Sequence, residues 1–153
     1  MFINPEIKFY RSSGEFGFLS NLYKRQITFE GRQFPHAEAA YQFGKAKDPE
    51  VAEWIAAAPK PHLCAAIGHA LLAFDIKPDW QDIKIERMRQ VLYAKFTQHP
   101  DLAEELLNTF GATLIEASPT DSFWGIGKNG RGSNMLGILL MELRRKLQQQ
   151  RGK

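Results

Sequence analysis

Glu38, Tyr41, Gln42 and Lys45 are the residues of this chain whose types and spacing could do chemistry. Alanines dominate the run from His36 to Ala46 and favour a helix there. On a helix, positions i, i+3, i+4 and i+7 bring a carboxylate, a phenol, an amide and an amine onto one face. A carboxylate can hold a hydroxyl or a water against an electrophilic carbon, and an amine can donate a proton or attack a carbonyl carbon. A solvated face would also account for the stripe. Phe43 and the alanines leave the rest of the helix apolar, however, and a polar stripe on a buried helix must find partners, of which a pocket is one.

The second stretch of interest runs from Ser118 to Gly137 and holds five glycines together with Asp121, Trp124, Asn129 and Asn134. Glycine lets backbone approach a ligand closely and reach φ > 0. The stretch leads into a helix start, where open N–H groups favour an anion. The spacing is neither a P-loop nor a dinucleotide fingerprint. A surface loop with a cap at Ser133 or Asn134 is the plain alternative. Trp124 beside Gly125 would give a wall for a base or sugar. A third stretch, Ser12–Asn21, interleaves aromatics with small polar residues. Phe18 is either a core plug or a ring-facing wall, and Ser20 and Asn21 are either turn residues or donors to a ligand.

The elements that must position these groups follow from local patterns. Short strands are expected at Ile7–Tyr10, Gln26–Glu30 and Gln33–Pro35, with Gly31-Arg32 as a turn. Helices are expected from His36 to Ala46, Pro49 to Ala58, His62 to Leu72, Asp82 to Thr97 with Asp82 as N-cap, and Asp101 to Phe110 before Gly111. Thr113–Ala117 reads as a buried strand that brings Glu116 to the mouth of the glycine-rich stretch, as a polar anchor or a hydroxyl acceptor. Asn134–Gln149 reads as the closing helix, with Leu136, Leu139, Leu140, Leu143 and Leu147 on its inner side. No repeat or linker divides residues 1–153, so the expectation is a single, helix-rich α+β domain.

Composition excludes several classes. With 44% hydrophobic and 24% charged residues the chain is of soluble globular type. No apolar run nears the roughly 18 residues of a membrane span, and Met1–Pro5 is no signal peptide. Cys64 is the one cysteine. It permits no internal disulfide, fits a cytoplasmic setting, and reads as buried filler rather than nucleophile. His69 reads as a structural histidine. No metal-ligand spacing is present, so neither metal nor cofactor is expected. The sequence pI is near 9.0. Arg144, Arg145, Lys146, Arg151 and Lys153 supply five of the twenty basic residues, and no acid follows Glu142. The remaining fifteen face seventeen acids, a net of −2 before the tail. The basicity belongs to one helix end, where it complements the helix dipole.

Taken together, several stretches resemble the NADAR (YbiA-like) domain family over about residues 8–147. They are Phe18-Leu19-Ser20-Asn21, then Glu38, Tyr41-Gln42 and Lys45, then Leu114-Ile115-Glu116. Asp121-Ser122-Phe123-Trp124-Gly125-Ile126-Gly127, Gly132-Ser133-Asn134-Met135-Leu136-Gly137 and Met141-Glu142-Leu143-Arg144 complete the pattern. The chain departs from the family at Ala39, where His often follows the helix Glu. His69 stands where Gly-Arg is often found, and Ile76–Trp80 replaces an Arg-rich stretch. Lys77 could restore one charge there, without the bidentate fork of Arg.

The resemblance implies hydrolysis of an N-glycosidic bond to ribose or ADP-ribose. Two substrates are in view, the phosphoribosylamino-pyrimidine intermediates of riboflavin biosynthesis and guanine bases in DNA or RNA that carry ADP-ribose. In the second case the enzyme acts as antitoxin to an ADP-ribosyltransferase toxin. Glu38 would be the catalytic carboxylate. Lys45 would be general acid, Schiff-base amine or electrostatic partner. Phe18, Ser20, Asn21, Tyr41, Gln42 and Glu116 would line the substrate, Trp124 would stack on the base, and Asp121 would orient the loop or a hydroxyl. Gly125, Gly127 and the helix start at Asn134 would cradle phosphate. A reader of NAD-derived nucleotides without catalysis is the alternative function, and a purely structural role is a third. A monomer is the default expectation.

Overall fold

The computed structural model describes residues 5–152. Residues 1–4, part of the stretch read above as no signal peptide, and Lys153 of the basic tail lie outside the described residues. The fold is α+β and helix-rich, with six α-helices and four short strands among the described residues. It divides into two compact units. One is built from the chain up to Ser20 and from His99 on, the other from Asn21–Gln98.

In the central unit, β2 (Ile27–Phe29) and β3 (Arg32–Phe34) form an antiparallel hairpin in which Phe29 faces Arg32. The turn therefore falls on Glu30-Gly31, not Gly31-Arg32. Both residues have positive φ, 52° and 75°, the pattern of a two-residue hairpin turn whose twist matches the strands. Helix α1 (Ala37–Phe43) packs against α2 (Pro49–Ala56), α3 (Pro61–Ala70) and α4 (Trp80–Gln98). The apolar core around it is made of Ile27, Phe29, Phe34, Ala39, Ala40, Ile55, Cys64 and Val91. Alanine on α1 lets neighbouring helices approach closely.

The starts of these helices are written in the sequence. Asp48 caps α2 by accepting from the Glu50 N–H, and Pro49 and Pro61 sit in first turns where the missing N–H costs nothing. Helix α4 starts at Trp80, so Asp82 is inside its first turn and is not the N-cap; its N–H bonds the Asp79 carbonyl.

In the other unit, β1 (Glu6–Phe9) and β4 (Thr113–Glu116) pair in parallel, with Phe9 beside Glu116. Helix α6 (Met135–Arg151) packs on β4 and on α5 (Pro100–Leu107) through Leu136, Leu139, Leu140 and Leu143. The basic tail is partly spent here. Arg144 is buried and donates to Thr109 Oγ1 at 2.8 Å, and Arg151 pairs with Glu104 at 2.6 Å. No helix among the described residues is long and apolar enough to cross a membrane.

Candidate active site

Helix α1 begins at His36, whose Nδ1 accepts the Ala39 N–H at 3.1 Å. The Asn21 carbonyl accepts the Glu38 N–H at 3.1 Å, so the chain at Asn21 abuts the first turn of α1. Burial, helped by the charges of Lys24 and Lys95, lowers the His36 pKa to about 4, which keeps the capping nitrogen free to accept. At the other end, Arg87 of α4 donates to the carbonyls of Ala40 and Tyr41. Its guanidinium occupies the space a Cβ would take at Gly44. Seven residues would make a marginal helix alone; both ends are closed by groups from elsewhere in the unit.

The polar stripe forms with one change. Glu38 and Gln42 are one turn apart, and Gln42 Nε2 donates to Glu38 Oε1 at 2.8 Å. Tyr41 is buried with its ring 5.2 Å from that of Trp80. Lys45 lies beyond the helix, one residue past Gly44, so the stripe expected to run two turns along α1 ends one turn after Glu38. Short irregular structure replaces the last turn because residues 45–47 pair with another segment. Lys77 donates its N–H to the Lys45 carbonyl, Lys47 donates its N–H to the Asp75 carbonyl, and Ala46 bridges to Ile76. The Lys45 side chain is half-buried and its Nζ donates to the Gly68 carbonyl at 2.8 Å. Burial lowers its pKa, Glu38 opposes that shift, and Lys84 adds to it, with a net downward direction. Glu38 is thus close enough for its charge to act on the amine.

Two acceptors in this unit are conspicuous. Gln42 Oε1 and Asn21 Oδ1 are buried and have no hydrogen-bond partner among the described residues; the Asn21 amide donates instead to Met88 Sδ at 3.1 Å. Such groups are costly unless a water or ligand satisfies them. Cys64 is buried and its thiol is pushed up to about 12 by burial and by Glu38, so it is inert filler. His69 is exposed at the end of α3, not the structural histidine expected. Among the described residues no group of His, Cys, Asp and Glu is placed to hold a metal ion.

The glycine-rich loop is built differently. Asp121 Oδ1 accepts the N–H groups of Phe123 and Trp124 at 2.9 and 2.8 Å, so it orients the loop. The N–H groups of Met135 and Leu136, the helix start offered to phosphate, are taken by the carbonyls of Phe123 and Trp124. Asn134 occupies the N-cap position in the left-handed region, φ 52°, and makes no cap with its side chain. Its amide instead clamps β4, accepting from the Glu116 N–H at 2.8 Å and donating to the Leu114 carbonyl at 2.9 Å.

Most of the glycines answer to close packing within the loop, and Gly130 to its positive φ of 73°. A Cβ at Gly125 would overlap the Glu116 carboxylate, and one at Gly137 the Leu114 carbonyl. Gly127 has φ 69° and lies against Ser122. Trp124 is half-buried, its ring meeting that of Phe123 edge to face with centroids 4.8 Å apart. Glu116 is buried at the strand end. Phe18 and Ser20 are buried in and just after the 3-10 turn Gly17–Leu19, where Phe18 fills core space.

Gly68 and Arg87 were not singled out in the sequence. The signal for Gly68 was available, since a glycine inside a helical pattern disfavours the helix and asks for a packing reason. Arg87 carries none, because a basic residue on an amphipathic helix is ordinary.

Residues 8–148 match the NADAR domain. The chain is 38% identical over 141 residues to the N-glycosidase YbiA of Shigella flexneri, covering 92% of this chain and 88% of that one. It is 36% identical to the N-glycosidase Npun_R5314 of Nostoc punctiforme, covering 92% of each. It is also 36% identical to the riboflavin biosynthesis protein VVA0006 of Vibrio vulnificus, covering 94% of this chain and 39% of that longer one. The NMR structure of the E. coli protein YbiA superposes with a TM-score of 0.88 at 34% identity, covering 100% of this chain and 90% of that one. The chain belongs to the NADAR family, and it is an enzyme of the N-glycosidase class.

Proposed function

We propose that this enzyme hydrolyses the bond between a phosphorylated ribose and the amino nitrogen of a pyrimidine, acting on a free metabolite of riboflavin biosynthesis in the cytoplasm. The observation that carries the reading is the pair in the central unit. A carboxylate, Glu38, is held by the Gln42 amide, and an amine, Lys45, is seated on the Gly68 carbonyl with its pKa lowered.

Cleavage of an N-riboside passes through an oxocarbenium-like centre. Glu38 stabilises that positive charge and takes a proton from the attacking water. The water oxygen bonds to C1′ as the C1′–N bond breaks, and its electron pair leaves with the nitrogen. Lys45, more acidic than an ordinary lysine, protonates that nitrogen and is recharged through Glu38. The buried acceptor Asn21 Oδ1 suits a ligand rich in donors, as a ribose diol is. Tyr41 backs the Glu38 face.

The metabolite is preferred over ADP-ribosylated guanine because the basic tail, the one electrostatic argument for nucleic acid, is partly committed internally through Arg144 and Arg151. The relative from Vibrio vulnificus, named for riboflavin biosynthesis, points the same way. Product release from two substrates side by side tests this. Ribose 5-phosphate from the phosphoribosylamino-pyrimidine alone is the expected result. Free ADP-ribose from an oligonucleotide bearing ADP-ribosylated guanine alone would assign the chain to the antitoxin chemistry, with a toxin transferase as partner. Borohydride trapping of a ribose adduct on Lys45 would make that residue the nucleophile and not the acid.

A further inference from the structure

Gly68 is buried in α3, in a helix position where glycine is disfavoured relative to alanine. Its surroundings give the reason. The space a Cβ would fill is occupied by the side-chain amide of Gln42, its oxygen nearest. A flexible amide could ordinarily move aside, but Gln42 is only 2% exposed and its Nε2 is bonded to Glu38 Oε1. Rotating the amide by half a turn would set its oxygen against the carboxylate, so its orientation is fixed by charge. The carbonyl of Gly68 is the acceptor for Lys45 Nζ. One residue therefore touches both arms of the reacting pair.

We propose that Gly68 is a positioning residue of this enzyme: its missing side chain leaves the berth in which Gln42 holds Glu38, and its carbonyl seats the Lys45 amine. The proposal rests on the reading of Glu38 and Lys45 as the catalytic pair. Gly68 touches no reacting atom and acts through its two neighbours. The charged or titratable groups that act electrostatically within this cluster are Glu38 on α1, Lys45 after it, Cys64 on α3 and Lys84 on α4. A hydrogen bond to a carboxylate favours its charged form. Displacing the Gln42 amide therefore moves the acid limb of the pH–rate profile to higher pH.

The test compares Gly68→Ala, Gln42→Ala, the double variant and Glu38→Gln, with the phosphoribosylamino-pyrimidine as substrate. Gly68→Ala is expected to lower kcat on the order of 100-fold, change KM little, and shift the acid limb upward as Gln42→Ala does. In the Gln42→Ala background the amide is gone, so Gly68→Ala is expected to add no further loss and no further shift. A merely structural glycine would lower the melting temperature without moving the limb.

Wild-type kcat and limb in Gly68→Ala overturn the proposal, as does an equal loss from Gly68→Ala in both backgrounds. Should Gly68→Ala alone fail to fold, a folded double variant with the profile of Gln42→Ala supports it, and an unfolded double variant overturns it. Glu38→Gln separates the two levels. Full activity there removes the catalytic reading itself, whereas an inactive Glu38→Gln beside an unaffected Gly68→Ala removes only the role of Gly68.

Discussion

The α1 region and the glycine-rich loop both looked like ligand sites, and they spend their polar groups in opposite ways. In the loop, Asp121, Asn134 and the first N–H groups of α6 are bonded within the unit, and Gly125, Gly132 and Gly137 are there because a side chain would collide with backbone or carboxylate. Around α1, two buried acceptors are left without partners among the described residues, and a carboxylate and an amine are each held by a neutral group, the Gln42 amide and the Gly68 carbonyl. A saturated network makes a rigid shape; spare buried capacity has a cost that stability alone does not explain. Chemistry is therefore assigned to the helix and its partner residues, while scaffolding is assigned to most of the loop.

The comparison breaks most readily at Glu38. Glu38→Gln keeps the shape and should cut kcat by about 10²–10⁴-fold with an unchanged melting temperature, measured by product release and thermal unfolding. The loop should give the opposite result. Asn134→Ala removes both clamps on β4 and should destabilise by roughly 2–3 kcal/mol in denaturant unfolding, with the folded fraction retaining its kcat. A large loss of kcat there at unchanged stability would overturn the division.

A smaller effect sharpens the α1 side through pH. Folding lowers the His36 pKa from its ordinary value of 6.5 to about 4. The unfolded chain therefore binds a proton first, and stability falls as pH drops from about 6.5 toward 4. His36→Asn keeps a capping oxygen and should flatten that part of the stability curve, by at most about 3 kcal/mol at the acid end. The smallest effect is expected at the tail, where Arg145→Gln with Lys146→Gln should leave turnover of the free metabolite within about twofold. A pronounced loss on an oligonucleotide substrate would instead revive the nucleic-acid reading.

Much of the frame was legible locally. Alanine content located α1, Pro49 marked the start of α2, and the leucine spacing gave the inner face of α6. The i, i+4 rule foresaw Glu38 beside Gln42 because a helix alone sets that distance. Lys45 was placed on the wrong element: the seventh position holds only if the helix continues, and pairing with residues 75–77 ended it first. Asp82 failed as a cap for a related reason, since Trp80 enters the helix ahead of it.

By itself the sequence determined the family, the helix-rich α+β class and the identity of the polar residues on α1, all of which depend on residue type at short spacing. Tertiary structure alone decided that Lys45 rests on Gly68, that Gly68 must lack a side chain, and that the N–H groups of α6 close onto the loop. Those are contacts between residues 12 to 26 positions apart, formed by packing that no local propensity encodes.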